Sequence, residues 1–509
     1  MSKTIIKIFP VSIILLMIMA SCNRVNNQTM HTQGIFSGSA DIGEVKHKGS
    51  VVYDSNTGQY IISGSGTNMW YGSDEFHLAW AKAKGDFVLY TSVEFVGDGI
   101  DPHRKAGLII RKDLDPASAY VGAACHGDGL IALQYRPYAG FMTEEIRHGD
   151  THSFTIQLER RADLVTMKAA RLGEPLELTG EIEIDLGDDE LFIGLFVCAH
   201  HADVVEQAVF SNTRLIIPAP DDLTPYRDFL GSRLEIMDVE TGIRKIVYEA
   251  EGNLEAPNWS PDGQYLIVNS YGRLYRIEIA TGIREEIYTG FATSLNNDHG
   301  ISPDGKRLVI SHHVDDLPSG QNSIIFTLPY EGGTPVRVTE KGPSYWHGWS
   351  PDGKYLIYTG NRNGQWDIYR IPAEGGEEVQ MTNSPGLDDG SSYSSDGQQI
   401  WFNSNRTGAM EIWRMNADGS NPKQVTSDSY QNWFPHESPD GSKVIFLSYL
   451  PDVDPWDHPY YRHVMLRIMD TETLVPKVIA HLYGGQGTIN VPSWSPDGKK
   501  VAFVSNTQK

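Results

Sequence analysis

The stretch Trp346-His347-Gly348-Trp349-Ser350-Pro351-Asp352-Gly353-Lys354-Tyr355-Leu356-Ile357-Tyr358-Thr359-Gly360 decides the fold, because its central tetrapeptide recurs along the second half of the chain. Copies begin at Ser260, Ser302, Ser350, Ser394 (as Ser-Ser-Asp-Gly), Ser438 and Ser495, at spacings of 42, 48, 44, 44 and 57 residues. A period of about 40–45 residues with strand-like segments between turns is that of four-stranded propeller blades.

Each copy has a physical logic. Proline at the second position presets φ for a turn, and Asp-Gly supplies the positive-φ geometry that closes a hairpin. Apolar, β-branched runs follow, such as Tyr265-Leu266-Ile267-Val268 and Lys443-Val444-Ile445-Phe446, each of strand length. A second hairpin comes next, seen in Leu274 to Tyr288 and in Asp367 to Thr382. Two hairpins make one blade. The first such segment, Leu234 to Tyr248, is an outer hairpin without an inner one before it, and Val491 to Ser505 is an inner hairpin without an outer one after it. The spacing therefore predicts six blades, closed by the two chain ends, with residue 235 tied to residue 503.

The repeated wording Trp-Ser-Pro-Asp-Gly-Lys-Tyr-Leu-Ile-Tyr, together with the Asn-Arg-(x)-Gly-(x)-(x)-Asp/Glu-Ile-Tyr/Trp-Arg pattern, resembles the TolB-type six-bladed propeller over residues 226–509. The resemblance is specific for the fold and weak for function. Propellers of this kind include periplasmic interaction proteins, peptidase accessory domains and some polysaccharide lyases.

Residues 1–22 read as an export signal, with Lys3 and Lys7 ahead of an apolar run from Ile8 to Ala20 that is too short to span a bilayer stably. Met19-Ala20-Ser21-Cys22 resembles the bacterial lipoprotein cleavage box, in which the cysteine is acylated and becomes the new N-terminus; the alternative is an ordinary cleaved signal with a chance cysteine. An acylated Cys22 implies a palmitate-type anchor without a spanning helix, and residues 23–33 form a polar tether. The lack of Asp after Cys22 leans toward the outer membrane, facing the periplasm, by resemblance to lipoprotein sorting patterns. A net charge of −23 argues against nucleic acid as a partner. A glycan or a cell-envelope protein remains compatible with it.

Residues 34–218 carry no Ser-Pro-Asp-Gly element and read as eleven short strands with intervening Gly, Asp and Pro, the signature of an antiparallel sandwich. The wording Gly64-Ser65-Gly66-Thr67-Asn68-Met69-Trp70, Asp74 to Trp80 and Lys105 to Arg111 resembles the concanavalin-A-like jelly rolls found beside glycan-active enzymes. That resemblance implies carbohydrate binding, with Trp70, Tyr71 and Trp80 as stacking candidates; in strand-like runs such rings also serve as sandwich core. Cys125 and Cys198 are compatible with a disulfide or with two buried free thiols. Residues 219–225 read as a stiff, polar linker. The expected whole is all-β, an N-terminal jelly-roll sandwich followed by a six-bladed propeller.

The segments that enter each inner strand approach the propeller axis and are placed to converge from different blades. Aligned on the repeat, they carry Glu255, Asp298, Asp388, Asp389, Asn432 and Asn490 as ligand-binding candidates, and His299, His347 and His436 at nearly the same offset. Three imidazoles with carboxylates suit a divalent metal ion. The alternative is that they hydrate the funnel and hydrogen-bond neighbouring blades. An insertion from Leu450 to His463 accounts for the long last spacing; it belongs either at a ligand face or against the sandwich. Two functions follow: a lipid-anchored binding or interaction protein, or an enzyme resembling in plan the propeller oligogalacturonate lyases. In the second, His299, His347 and His436 hold the metal and His312 or His313 supplies a base, although the lyase ligand spacing is not matched residue by residue. No nucleophile elbow, phosphate loop or zinc-helix motif occurs in the chain.

Overall fold

The computed structural model describes residues 34–150 and 155–508, so the leader, Cys22 and the tether lie outside the described residues. Among the described residues the regular structure is all strand. From Gly38 to Ile216 the chain forms two seven-stranded antiparallel sheets. Their facing sides share one core, in which Leu108, Val121 and Leu195 of one sheet meet Leu89, Ile156 and Phe210 of the other. Three strands escape the sequence pattern: Gly38–Ile42, Glu144–Asp150 and Glu177–Glu183. All three lie at sheet edges. An edge strand has one unpaired side, so polar runs such as Glu-Leu-Thr-Gly-Glu-Ile-Glu are tolerated there. Cys125 faces the inter-sheet core and Cys198 packs in the cluster on the opposite side of the same sheet, so both are free thiols and cannot pair. Trp80 joins that outer cluster, edge-on to Phe192.

From Gly231 to Thr507 the chain makes a six-bladed propeller. Five blades are consecutive four-stranded meanders; the sixth combines Lys500–Thr507 with Gly231–Asp238 and Arg244–Ala250, and its innermost position is reduced to a bridge between Trp494 and Val501. Glu235 lies opposite Phe503, so the ring closes where the sequence predicts.

The repeated tetrapeptide is a self-contained hydrogen-bonded turn. In the copy at Ser350, the Ser Oγ donates to Asp352 Oδ1 (2.7 Å) and accepts from Tyr355 N (2.9 Å), while Asp352 Oδ1 also accepts from Lys354 N (3.1 Å). The same bonds recur at Ser260, Ser302, Ser438 and Ser495. Successive turns abut. A Cβ on Gly305 would lie 3.0 Å from Pro261, and Gly397 faces Pro351 in the same way. Where Ser395 replaces the proline, its freed N–H donates to Glu437 of the next blade (2.9 Å).

Sandwich and propeller form one compact unit. Glu235, fully buried, accepts from Arg244 of its own blade (2.7 Å) and from Arg214 of the sandwich (2.6 Å). The connection at 219–225 is not a free spacer. Leu223 and Ala219 pack against Val88, Ile216 and Tyr483, and Ala219 N donates to the Tyr483 hydroxyl (3.0 Å).

Candidate ligand-binding site

The segments singled out at the axis are not loops but the innermost strands themselves, including Glu255–Trp259, Leu295–Ile301, Ser344–Trp349, Asp388–Tyr393 and Gln431–Glu437. Each of these five carries a register shift in mid-strand. At three of them a residue takes positive φ, namely Ala256, Gly390 and Phe434. A bulge of this kind re-aims the side chains before it. Those side chains surround a cavity of about 690 Å³ at the end of the axis away from the Ser-Pro-Asp-Gly turns.

Of the sequence candidates, Glu255, Asp298, Asp389, Asn490, His347 and His313 line this cavity. The others do not. Asp388 is fully buried against Arg406 (2.8 Å). Asn432 is locked among Glu411, Asp428, Ser448 and Arg467. His312 packs between Phe291 and Phe326 with its Nδ1 on Ser294 O (3.1 Å).

The metal expectation is corrected by the donors' partners. His299 directs Nδ1 to Asn297 O (2.9 Å) and Nε2 to Ile267 O of the preceding blade (3.3 Å). His436 Nε2 donates to Ile489 O (2.9 Å). His347 Nε2 meets Asp389 Oδ1 of the next blade at 2.9 Å. All three imidazoles are struts between blades, and among the described residues no group of three His, Cys, Asp or Glu side chains is placed to hold a metal ion.

The cavity floor is acidic. Burial raises the Asp389 carboxyl, but the charge of His347 and the Thr359 hydroxyl (2.6 Å) outweigh it and hold the group down at about 2. Burial lowers His347, and Asp389 reverses this and keeps its pKa above the ordinary imidazole value. Glu255 and Asp298 have no such partner. Burial pushes Glu255 up to about 7, against the hydrogen bond from Tyr460, and pushes Asp298 up to about 6.

Aromatic rings form the wall. Tyr345 stacks on Trp366 at 6.1 Å between centroids and 30°, and Phe434 sits beside His347 and His458. Tyr271 and Trp456 stand at the rim, 60% and 58% exposed. Tyr345 and Phe434 lie inside the aligned segments, so the repeat alignment was able to find them. Tyr226 and Phe229 belong to no repeat and carried no signal. The 450–463 insertion serves both expected ends: Trp456, His458 and Tyr460 line the cavity, whereas Tyr461 accepts from Leu230 N (3.1 Å) and His463 lies 3.6 Å from Glu159 of the sandwich.

A six-bladed ring with an aromatic-walled axial cavity defines the class. Residues 347–451 match the TolB beta propeller domain family (PD40). An uncharacterized protein of Agrobacterium fabrum (strain C58) is 48% identical over 276 residues, 54% of this chain and 92% of that protein. A solved structure from Agrobacterium tumefaciens, provisionally named as a TolB, is 46% identical and covers 55% of this chain and 100% of its own, with a TM-score of 0.52. TolB from Acinetobacter baumannii is 18% identical, covers 65% of this chain and 79% of its own, and has a TM-score of 0.40. The chain belongs to the TolB-like β-propeller family.

Proposed function

We propose that this chain is an exported, lipid-anchored binding protein whose propeller funnel takes a glycan. The observation that carries the reading is the axial cavity, where flat rings at the rim and wall surround a floor of carboxylates and amides. Aromatic faces stack on the apolar faces of pyranose rings while the polar floor meets hydroxyls. In the same reading the two-sheet domain is a concanavalin-A-like jelly roll that stiffens and orients the funnel, and the anchor is an acyl group on Cys22 that holds the protein at the outer membrane facing the periplasm.

Affinity electrophoresis over a panel of neutral, acidic and amine-bearing polysaccharides tests the funnel. Retardation by at least one glycan, abolished by Trp456→Ala with the melting temperature unchanged, is expected. Lack of retardation by every glycan, or retardation indifferent to Trp456→Ala, sinks the reading. Metabolic labelling with radioactive palmitate tests the anchor: the wild-type protein should take up label in the membrane fraction, and Cys22→Ser should release an unlabelled protein. Equal labelling of the two would place the acyl group elsewhere.

A further inference from the structure

Resting on the glycan reading of the same funnel, we infer that the bound sugar carries a free amine, held as an ammonium group between Glu255 and Asp298. The cavity lining contains three carboxylates and neither Lys nor Arg. One carboxylate is already neutralised, since Asp389 is paired with His347. The other two are not. Glu255 and Asp298 are only 6% and 4% exposed, and neither makes an ion pair among the described residues. Their hydrogen bonds come from neutral donors, the Tyr460 hydroxyl on Glu255 and Asn296 Nδ2 on Asp298 (2.7 Å). His347, the one cation felt by Asp298, is directed at Asp389.

Two buried carboxylates without a paired cation are costly when ionised, and each also feels a neighbouring acid, Asp298 acting on Glu255 and Asp389 on Asp298. An ammonium group entering between them removes both penalties. The surrounding rings favour the same charge, because the faces of Tyr345 and Tyr460 are electron-rich and attract a desolvated cation. A second observation adds the sugar's oxygen. Asn297, 4% exposed and part of the cavity wall, has an Nδ2 with no hydrogen-bond partner. Buried donors of this kind are normally satisfied. A hydroxyl next to the amine, as on the ring of a 2-amino sugar, supplies the missing acceptor.

Isothermal titration of the purified full-length protein at pH 6 compares glucosamine oligosaccharides with fully N-acetylated oligomers of the same length. The amine series should bind at least tenfold more tightly, and the isosteric double variant Glu255→Gln/Asp298→Asn should lose that preference with no fall in its melting temperature. Equal or weaker binding of the amine series, with the acetylated series bound, overturns the amine and leaves the glycan reading standing. Binding of neither series overturns this inference, and the polysaccharide panel then decides the glycan reading separately. An amine preference that survives the double variant also overturns it, because the charge would lie elsewhere.

Discussion

At the scale of single residues, the axial cavity keeps two acids near their titration points in the free protein. Glu255 is raised to about 7 by burial, well above the ordinary carboxyl value. A carboxyl whose folded pKa is raised contributes its full stability below the unfolded pKa and loses it as pH climbs through the folded value. The window therefore runs from about pH 4.5 to 7. Glu255→Gln keeps the shape and the Tyr460 contact but removes the titration. Relative to wild type, this variant should gain about 3 kcal/mol at pH 8 and almost nothing at pH 4.5. Thermal melts at the two pH values check it, and an equal shift at both would show that Glu255 does not titrate in this range. The identity of Glu255 as an axial residue was legible from the repeat alignment. Its lack of a cation was not, because the nearest charged groups come from other blades and from the 450–463 insertion.

At the scale of the blade, the ring is held by side chains that cross from one repeat to the next. Trp346 of the third blade is almost fully buried against Gly300 of the second, where an added Cβ would fall 1.9 Å from the indole ring. Gly300→Ala therefore overpacks the joint and should destabilise the protein by about 1–3 kcal/mol. Trimming the ring in Gly300→Ala/Trp346→Phe should recover part of that loss. Denaturant unfolding of the two variants measures both, and additive effects would mean that the pair is not in contact. The histidines belong to the same logic. Their shared offset in the repeat was visible in the sequence and suits metal ligation as well as it suits inter-blade hydrogen bonding. The choice depends on where each ring nitrogen points, and the carbonyls of Ile267 and Ile489 that receive His299 and His436 carry no signal in sequence, since every residue has a carbonyl.

At the scale of the whole molecule, one buried cluster joins the sandwich to the blade that closes the ring. Burial raises the Glu235 carboxyl, yet Arg214 and Arg244 hold it far below the ordinary carboxylate range. Removing a partner from a buried pair leaves an uncompensated charge and costs about 3–5 kcal/mol. Glu235→Gln should therefore lower the melting temperature sharply, and calorimetry should resolve sandwich and propeller as separate transitions where wild type shows one. A variant that still melts in a single step would mean that other contacts couple the two parts. The blade count, the closure of residue 235 on residue 503, and the sandwich that precedes the ring were determined by sequence alone. Those features rest on local chemistry: Pro and Asp-Gly make turns wherever they occur, and alternating apolar runs must bury one face. What only the tertiary structure decided was which axial residues share a cavity, which are struts, and which carboxylates lack a counter-charge. Such properties depend on distances between residues as far apart in sequence as Glu255 and Tyr460, and the bulge that turns each inner strand toward or away from the axis has no fixed residue code.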